Sequence, residues 1–459
     1  MAQVPWYYRV AIKALKPLYR VQLALRSGQK KATPTELDER FGKYYSPITT
    51  QKPLLWIHAV SLGETNTAEP VMRALLQKGY GLWITNTTHT GYQRTGELFA
   101  AEIDHGDVYQ SFMPVDEVRV IDTFIRHVKP YGALFIETEL WANTLAVLEN
   151  ADIPSMLING RLSQKSFDGY QKIAKVSDSI MENLRLIIAQ DSDSAKRFRQ
   201  LGATSDKIRV ANSLKWSSHA NPIMLAKAEQ LKADWQLNNR TVIVAASTHD
   251  GEEPLILESF ATLLNNFPAK NLLLIVVPRH PERFDTVANL IEKSHLTMVK
   301  RSDNHPILPE IPLFLADSMN ELGIWYALAD ITLVCGSFVD IGGHNPIEAA
   351  IVGKPIIMGK YTQSCQQIVD KLKSVGALWQ LENTQTPETL TKTLTIWINQ
   401  PEQAKQAGQA GLQLAEKFQD VTQQQVGMIE RVLANHQNHL KHRQALFDES
   451  ALVDSFKQE

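Results

Sequence analysis

The sequence predicts two α/β domains, each a parallel sheet wound with helices on both faces, and three observations carry that expectation. A chain of 459 residues is too long for one core, and a 44 % hydrophobic content supplies enough apolar surface for two. From Leu54 onward, short β-branched or apolar runs alternate with stretches of helical period, the pattern of βα repetition and hence of a doubly wound parallel sheet. That alternation is interrupted once, across the polar stretch Trp216 to Arg240, which reads as a linker.

In chain order, Trp6 to Leu25 reads as a helix in which Trp6, Tyr7, Val10, Ala14, Leu18, Val21 and Leu25 interleave with basic residues, broken or kinked near Pro17. The first 35 residues carry seven cations (Arg9, Lys13, Lys16, Arg20, Arg26, Lys30, Lys31) and no acid. A basic amphipathic helix with aromatics suits an anionic membrane surface; a helix packed on the protein with a solvated basic face is the plainer alternative. Leu54–Ile57, Gly81–Thr85, Ala133–Ile136, Ser155–Ile158 and Leu186–Ala189 are the expected strands of a first domain, residues 36–215. After a linker at 216–240, Thr241–Ala246, Leu272–Val277, Ile331–Val334 and Pro355–Met358 belong to a second, residues 241–430. A helical tail, 431–459, follows and could cross back to the first domain.

Composition narrows the function. A net charge of −2 provides no global basic field, so a nucleic-acid partner is not expected. Two cysteines, Cys335 and Cys365, give neither a disulfide framework nor a structural zinc set, and no run has the roughly 18 apolar residues of a membrane span. A cytoplasmic protein is therefore expected.

The stretch most suited to a ligand is Ile331 to Ala350. A buried strand ends at Gly336-Ser337, the pair Gly342-Gly343 permits close backbone approach, and a helix restarts with Asn345 as N-cap, Pro346 at its first position and Glu348 at the third. Helix amides after a strand can hold a phosphate, and Glu348 can accept from a ribose hydroxyl; equally, Glu348 could only cap and His344 only fill the turn. Glu64 follows the first strand and the turn Ser61-Leu-Gly63, where Ser61-x-x-Glu64 also spells a capping box. Glu137 and Glu139 follow another strand and, if extended, point the same way. Lys215 ends the first domain, and Arg279, with His280 and Arg283, follows a strand where an anion could be clamped. Asp191-Ser-Asp193 has the spacing of a metal-binding pair but sits where Asp and Ser cap helices, so no metal and no cofactor are expected.

Gly336-Ser-Phe-Val-Asp-Ile-Gly-Gly-His-Asn-Pro-Ile-Glu348 resembles the signature of the transferases of 3-deoxy-manno-octulosonate (Kdo). His58-Ala-Val-Ser-Leu-Gly-Glu64, Glu137-Thr-Glu-Leu-Trp141, Asn159-Gly-Arg-Leu-Ser163, Ser213-Leu-Lys215, Ser247-Thr-His-Asp-Gly-Glu-Glu253 and Pro278-Arg-His-Pro-Glu-Arg283 occur in the family's order. The resemblance implies a GT-B fold with a cleft between its two Rossmann-like domains, and transfer of Kdo from CMP-Kdo to the lipid A precursor, lipid IVA, at the cytoplasmic face of the inner membrane, where anionic phospholipid is a further partner. It implies Glu64 as general base, with Glu137 and Lys215 assisting. It matches Pro278, Arg279, Met319, Asn320, Glu321, Asn345, Pro346, Ile347 and Glu348 to CMP, with Ser61, Gly63, Glu139, Ser337, Gly342, Gly343 and His344 in support. Ala142 replaces the family's usual Pro, Gly160 its Ala and Asn320 a small residue, and none of these removes a reacting group. The rivals are a sugar-nucleotide epimerase or hydrolase on a similar fold, and a non-catalytic sugar-nucleotide-binding membrane protein, which would need no base.

Overall fold

The structure is a computed structural model that describes residues 3–26, 32–384 and 386–456, with side chains to residue 442; Lys30 and Lys31 of the basic N-terminal set lie outside it. The chain forms two compact units, residues 1–217 with 420–459, and residues 218–419.

The first unit is built on seven parallel strands: β1 (Leu54–His58), β2 (Gly81–Asn86), β3 (Val108–Phe112), β4 (Gly132–Ile136), β5 (Ser155–Gly160), β6 (Leu186–Ala189) and β7 (Ile208–Val210). Their order is β3-β2-β1-β4-β5-β6-β7, so the winding reverses between β1 and β4. All five residues of β1 and of β4 are buried, as two helix-covered faces require. The largest core side chains keep their polar atoms satisfied: Trp56 Nε1 donates to Thr85 Oγ1 and Trp83 Nε1 to Ser111 Oγ, both at 2.9 Å.

The N-terminal helix, α1 (Trp6–Ala24), runs through Pro17 without a break. Pro17 lies on the exposed side, where water can take the carbonyl that its missing N–H leaves free. One face of α1 is tied to the first unit: Tyr8 donates to Asp116 at 2.8 Å, Lys16 pairs with Glu117 at 3.1 Å, and Leu23 is fully buried. The other face is open, with Trp6 75 %, Leu18 65 % and Leu25 77 % exposed. A short helix α2 (Pro34–Arg40) follows, capped by Thr33, and α3 (Leu62–Gln77) leaves the end of β1. Among the described residues, no helix is long and apolar enough to cross a membrane.

The second unit repeats the design with β8 (Thr241–Thr248), β9 (Leu272–Pro278), β10 (Met298–Lys300), β11 (Leu313–Leu315), β12 (Ile331–Val334), β13 (Ile356–Met358) and β14 (Leu378–Gln380), all parallel. The order β10-β11-β9-β8-β12-β13-β14 reverses between β8 and β12.

Two expected boundaries are corrected. The supposed linker 216–240 is mostly helical: Leu214–Ser217 is a 3₁₀ turn of the first unit, and Pro222–Asp234 is a helix of the second, capped by the Asn221 side chain. Its pattern is hard to read because Ala228 alone is fully buried. The second unit ends at Gln419, not at 430, and the last helix, Val421–Phe456, returns to the first unit, where its Gln425 is buried against Asn159 and Asn212.

Candidate functional site

In open parallel sheets, ligands collect at the carboxyl ends of the strands where the winding reverses. Glu64 and Glu137 in the first unit, and the Gly336 to Glu348 stretch in the second, follow the strands at those reversals, while Lys215 and Met319 to Glu321 follow β7 and β11.

In the first unit, Glu64 lies in the opening turn of α3, directly after β1. The anticipated capping box does not form. Ser61 occupies the N-cap position, but its side chain makes no capping bond, and Glu64 Oε2 accepts the Val60 N–H at 2.6 Å. Val60 is itself held by the residues that follow β2, its carbonyl accepting the Thr87 and Thr88 N–H groups at 3.0 Å each. Burial pushes the Glu64 carboxyl up to about 8; the Val60 hydrogen bond opposes this and the charges of Glu137 and Glu139 add to it. A Cβ at Gly63 would find only Ser61 Oγ, at 3.9 Å, so no neighbour within the chain demands glycine there.

Glu137 and Glu139 follow β4 across the reversal point, but not as an extended pair. Glu137 has φ 61°, a left-handed conformation that a non-glycine residue adopts only when its surroundings impose it. The Glu137 N–H donates to Ile158 O at 3.1 Å, and its own carbonyl accepts from Arg161 N–H at 3.4 Å, which fixes the turn. Burial raises the Glu139 carboxyl as well. Three carboxylates thus share one edge.

Lys215 is half-buried in the 3₁₀ turn Leu214–Ser217, which packs against α3, the helix of Glu64. The turn hangs on the first residue of the Asn159-Gly-Arg-Leu-Ser163 motif. Asn159, fully buried with φ 51°, accepts the Leu214 N–H on Oδ1 at 3.0 Å, and its own N–H donates to Gln425 Oε1 at 3.2 Å. Asp191 is an N-cap, accepting the Ser194 N–H at 2.7 Å and its hydroxyl at 2.8 Å.

In the second unit the organising residue is Glu252 of the Ser247–Glu253 motif, whose role no local sequence pattern signals. Fully buried, it accepts three backbone N–H groups, from His249 at 2.9 Å, Gly336 at 2.8 Å and Phe338 at 3.0 Å, and so joins the loop after β8 to the loop after β12. Those amides are spent on Glu252. Ser337 is structural too, donating to Val334 O at 2.6 Å and accepting the Gly359 N–H at 2.8 Å. Gly342 and Gly343 have φ 110° and 79°, and a Cβ at Gly342 would run into Ser364 Oγ, so both requirements for glycine are met. Replacing Glu252 with Gln puts an NH₂ group against amide donors; urea denaturation should show this unit weakened by about 1–3 kcal/mol, and an unchanged midpoint would refute Glu252 as its clasp.

His344 stacks on His249 with ring centroids 5.0 Å apart, and their Nε2 atoms are 2.7 Å apart, so one ring donates and the other accepts. Burial, with the charges of His249, Arg279 and His280, lowers His344 to about 4. A histidine so depressed contributes stability that is present above its usual value near 6.5 and is lost as pH falls through about 4. Arg279 follows β9, its N–H anchored on Thr248 O at 3.1 Å. Arg283 does not join it as an anion clamp: it pairs with Glu253 at 2.5 Å and Asp250 at 3.3 Å. The Glu321 carboxylate is likewise occupied, by Lys227 (2.8 Å), Arg301 (3.0 Å) and Ser318 (2.6 Å). Burial works against its charge, but these bonds hold it down to about 2. Met319 and Asn320 beside it are exposed, Asn320 with φ 61°.

The helix after the glycines starts one residue later than expected and is brief, Ile347–Ala350. Pro346 stands at its N-cap position and Asn345 Oδ1 accepts the Ile347 N–H at 3.2 Å. One turn has little macrodipole, so an anion here would meet local N–H groups and the Arg279 charge. Glu348 is exposed.

A family model described as 3-deoxy-D-manno-octulosonic-acid transferase (kdotransferase) matches residues 35–218. Over 411 residues the chain is 34 % identical to the 3-deoxy-D-manno-octulosonic acid transferase of Haemophilus influenzae, covering 89 % of this chain and 94 % of that one. A glycosyltransferase from Rickettsia africae is 14 % identical, with 84 % of this chain and 100 % of that one covered and a TM-score of 0.57. The UDP-GlcNAc 2-epimerase of Neisseria meningitidis is 15 % identical, with 82 % and 99 % covered and a TM-score of 0.51. These two structures share the GT-B class of fold, which hosts both chemistries.

Proposed function

The chain belongs to the Kdo transferase family and is a glycosyltransferase that moves Kdo onto a glycolipid, and from that premise we propose that its donor is CMP-Kdo, its acceptor lipid IVA and its general base Glu64. The observation that carries the base assignment is a carboxyl raised to about 8 by burial at the reversal point of the first sheet. An acceptor hydroxyl gives its proton to Glu64 as its oxygen attacks the anomeric carbon of Kdo from the face opposite the leaving phosphate. The C–O bond to CMP breaks, the anomeric configuration inverts, and CMP departs with the electron pair. The open space over Gly63 leaves room for the acceptor beside the carboxylate. Glu137 and Lys215 support the transition state, the cation answering the charge of the Kdo carboxylate and of the departing phosphate. The second unit binds CMP, with Arg279 on phosphate and with the Asn345–Glu348 turn and Met319 to Glu321 around the nucleoside. Incubation with CMP-Kdo and lipid IVA tests the reading: the lipid should gain the mass of Kdo, with or without EDTA, and no gain in either case refutes it. Loss of transfer with EDTA alone, restored by Mg²⁺, would refute the assignment of the charge work to Lys215 and Arg279.

We also propose that α1 docks on the anionic cytoplasmic face of the inner membrane. Its outward face combines exposed Trp6, Val10, Leu18 and Val21 with the basic residues. Because its inward face is structural, the discriminating change is Trp6→Ser with Val10→Ser and Leu18→Ser. Co-sedimentation with anionic vesicles should weaken by tenfold or more, on the scale of about 0.8 kcal/mol per buried CH₂. High salt should weaken the parent chain further. Equal sedimentation of variant and parent would place the docking surface elsewhere.

A further inference from the structure

We propose that a cavity beneath α1 binds one acyl chain of the glycolipid acceptor, an assignment that rests on the acylated acceptor proposed above. The cavity measures about 290 Å³, close to the lower end for small-ligand pockets and suited to one chain. Ile12, Leu15 and Tyr19 of α1 roof it, while Met113, Val115 and Trp141 line it from the loops after β3 and β4.

Position is the first argument. Thr87, Met113 and Trp141 follow β2, β3 and β4, so the cavity spans the same carboxyl edge that carries Glu64 and Glu137. Its wall is bonded to the Glu64 loop. Arg40 Nη2 donates to Thr87 O at 2.6 Å, Thr87 N–H to Val60 O at 3.0 Å, and Val60 N–H to Glu64 Oε2 at 2.6 Å.

Chemistry is the second. The charged groups in the lining are already paired within the chain. Arg40 is held by Glu36 at 2.8 Å, Lys16 by Glu117 at 3.1 Å, and Asp116 by Tyr8 at 2.8 Å and Thr144 at 2.6 Å. A polar ligand would gain few partners there; a hydrocarbon loses nothing by entering. Trp141 is the exception. Its indole N–H is buried without a hydrogen-bond partner among the described residues, and an acyl carbonyl is the acceptor it lacks. Leu15 of the roof is 55 % exposed, on the same helix whose outer face presents Val10 and Leu18. A chain entering methyl end first from that carboxyl edge would therefore leave its carbonyl, which stays with the sugar, near Trp141 and reach toward Leu15 under α1.

The test uses the full-length protein in vesicles with lipid IVA carrying a diazirine near the methyl end of an acyl chain. Illumination and peptide mass mapping should place the label on residues 12–19 or 113–115, and label confined to the outer face of α1 overturns the proposal. Phosphatidylglycerol with the same diazirine forms a second arm. Equal labelling of the cavity by that phospholipid overturns the assignment to the acceptor. Kdo transfer followed in the same sample separates the two readings: transfer without cavity label refutes this one alone, and no transfer refutes the acceptor assignment itself. Val115→Trp, which fills the cavity, should raise KM for lipid IVA by tenfold or more, as loss of two methylene contacts would already do. It should leave kcat and CMP affinity within about threefold, and an unchanged KM counts against the pocket.

Discussion

Glu64→Gln lowers turnover by roughly a hundred- to ten-thousandfold while CMP affinity stays within about twofold, the range expected when a general base is lost and binding is kept. The amide retains the shape of the carboxyl and can still accept the Val60 N–H through its oxygen, so the opening turn of α3 should survive. What it cannot do is take a proton. The pH dependence sharpens the test, because the carboxyl is raised to about 8, chiefly by burial and further by Glu137 and Glu139. In the parent enzyme, kcat/KM should rise about tenfold per pH unit below 8 and level off above it, as the ionised fraction grows. Stability should move in the opposite sense. A carboxyl whose folded value lies above its unfolded value contributes stability that is complete below about 4.5 and is lost as pH rises through about 8. In Glu64→Gln the kinetic slope and that stability loss should both vanish. Turnover within a few-fold of the parent would remove Glu64 from the reaction.

The parts of this fold that were legible are those whose surroundings are uniform. β1, β4 and β12 are covered on both faces and are therefore unbroken apolar runs, which is the signal that a buried parallel strand leaves in a sequence. β10, at the edge of its sheet and half-exposed along its three residues, leaves no such run, and β14 is a three-residue edge strand of the same kind. β3 was missed for another reason: Gln110 and Ser111 interrupt Val-Tyr-Gln-Ser-Phe, although Ser111 is buried as the partner of Trp83. The candidate carboxylates were legible because each directly follows a strand. Their supports were not. Glu252 clasps amides at Gly336 and Phe338, Asn159 holds Leu214, and Gln425 reaches Asn159 from the last helix, contacts that depend on chain reversals no local pattern encodes. The same blindness explains Arg283 and Glu321. Each looked available beside a ligand-binding turn, and each is committed to partners brought up from other loops.

That commitment is why Arg279→Ala should have the largest effect on the donor. With Arg283 bonded to Glu253 and Asp250, and the Gly336 and Phe338 amides bonded to Glu252, Arg279 after β9 and the exposed Lys360 after β13 are cations left at this end of the second sheet, and Arg279 stands beside the reversal point. The residue is well placed for that work. Its backbone is pinned to Thr248 O, next to the sheet's reversal point, and its charge is felt by both His249 and His344. Neither histidine can stand in for it, because the two are bonded to each other and burial lowers both, leaving them neutral near pH 7. A charge-assisted hydrogen bond to phosphate is worth about 1.5–3 kcal/mol, which corresponds to roughly a ten- to hundredfold loss of CMP affinity on truncation. Calorimetric titration with CMP reads this directly, and cytidine supplies the control. Affinity for cytidine should be nearly the same in Arg279→Ala and in the parent, since the nucleoside has no phosphate for the guanidinium to grip. Arg279→Lys should recover part of the loss, because an ammonium keeps the charge but not the two-pronged geometry. If the variant binds CMP as tightly as the parent, or loses cytidine to the same degree, Arg279 does not hold the phosphate.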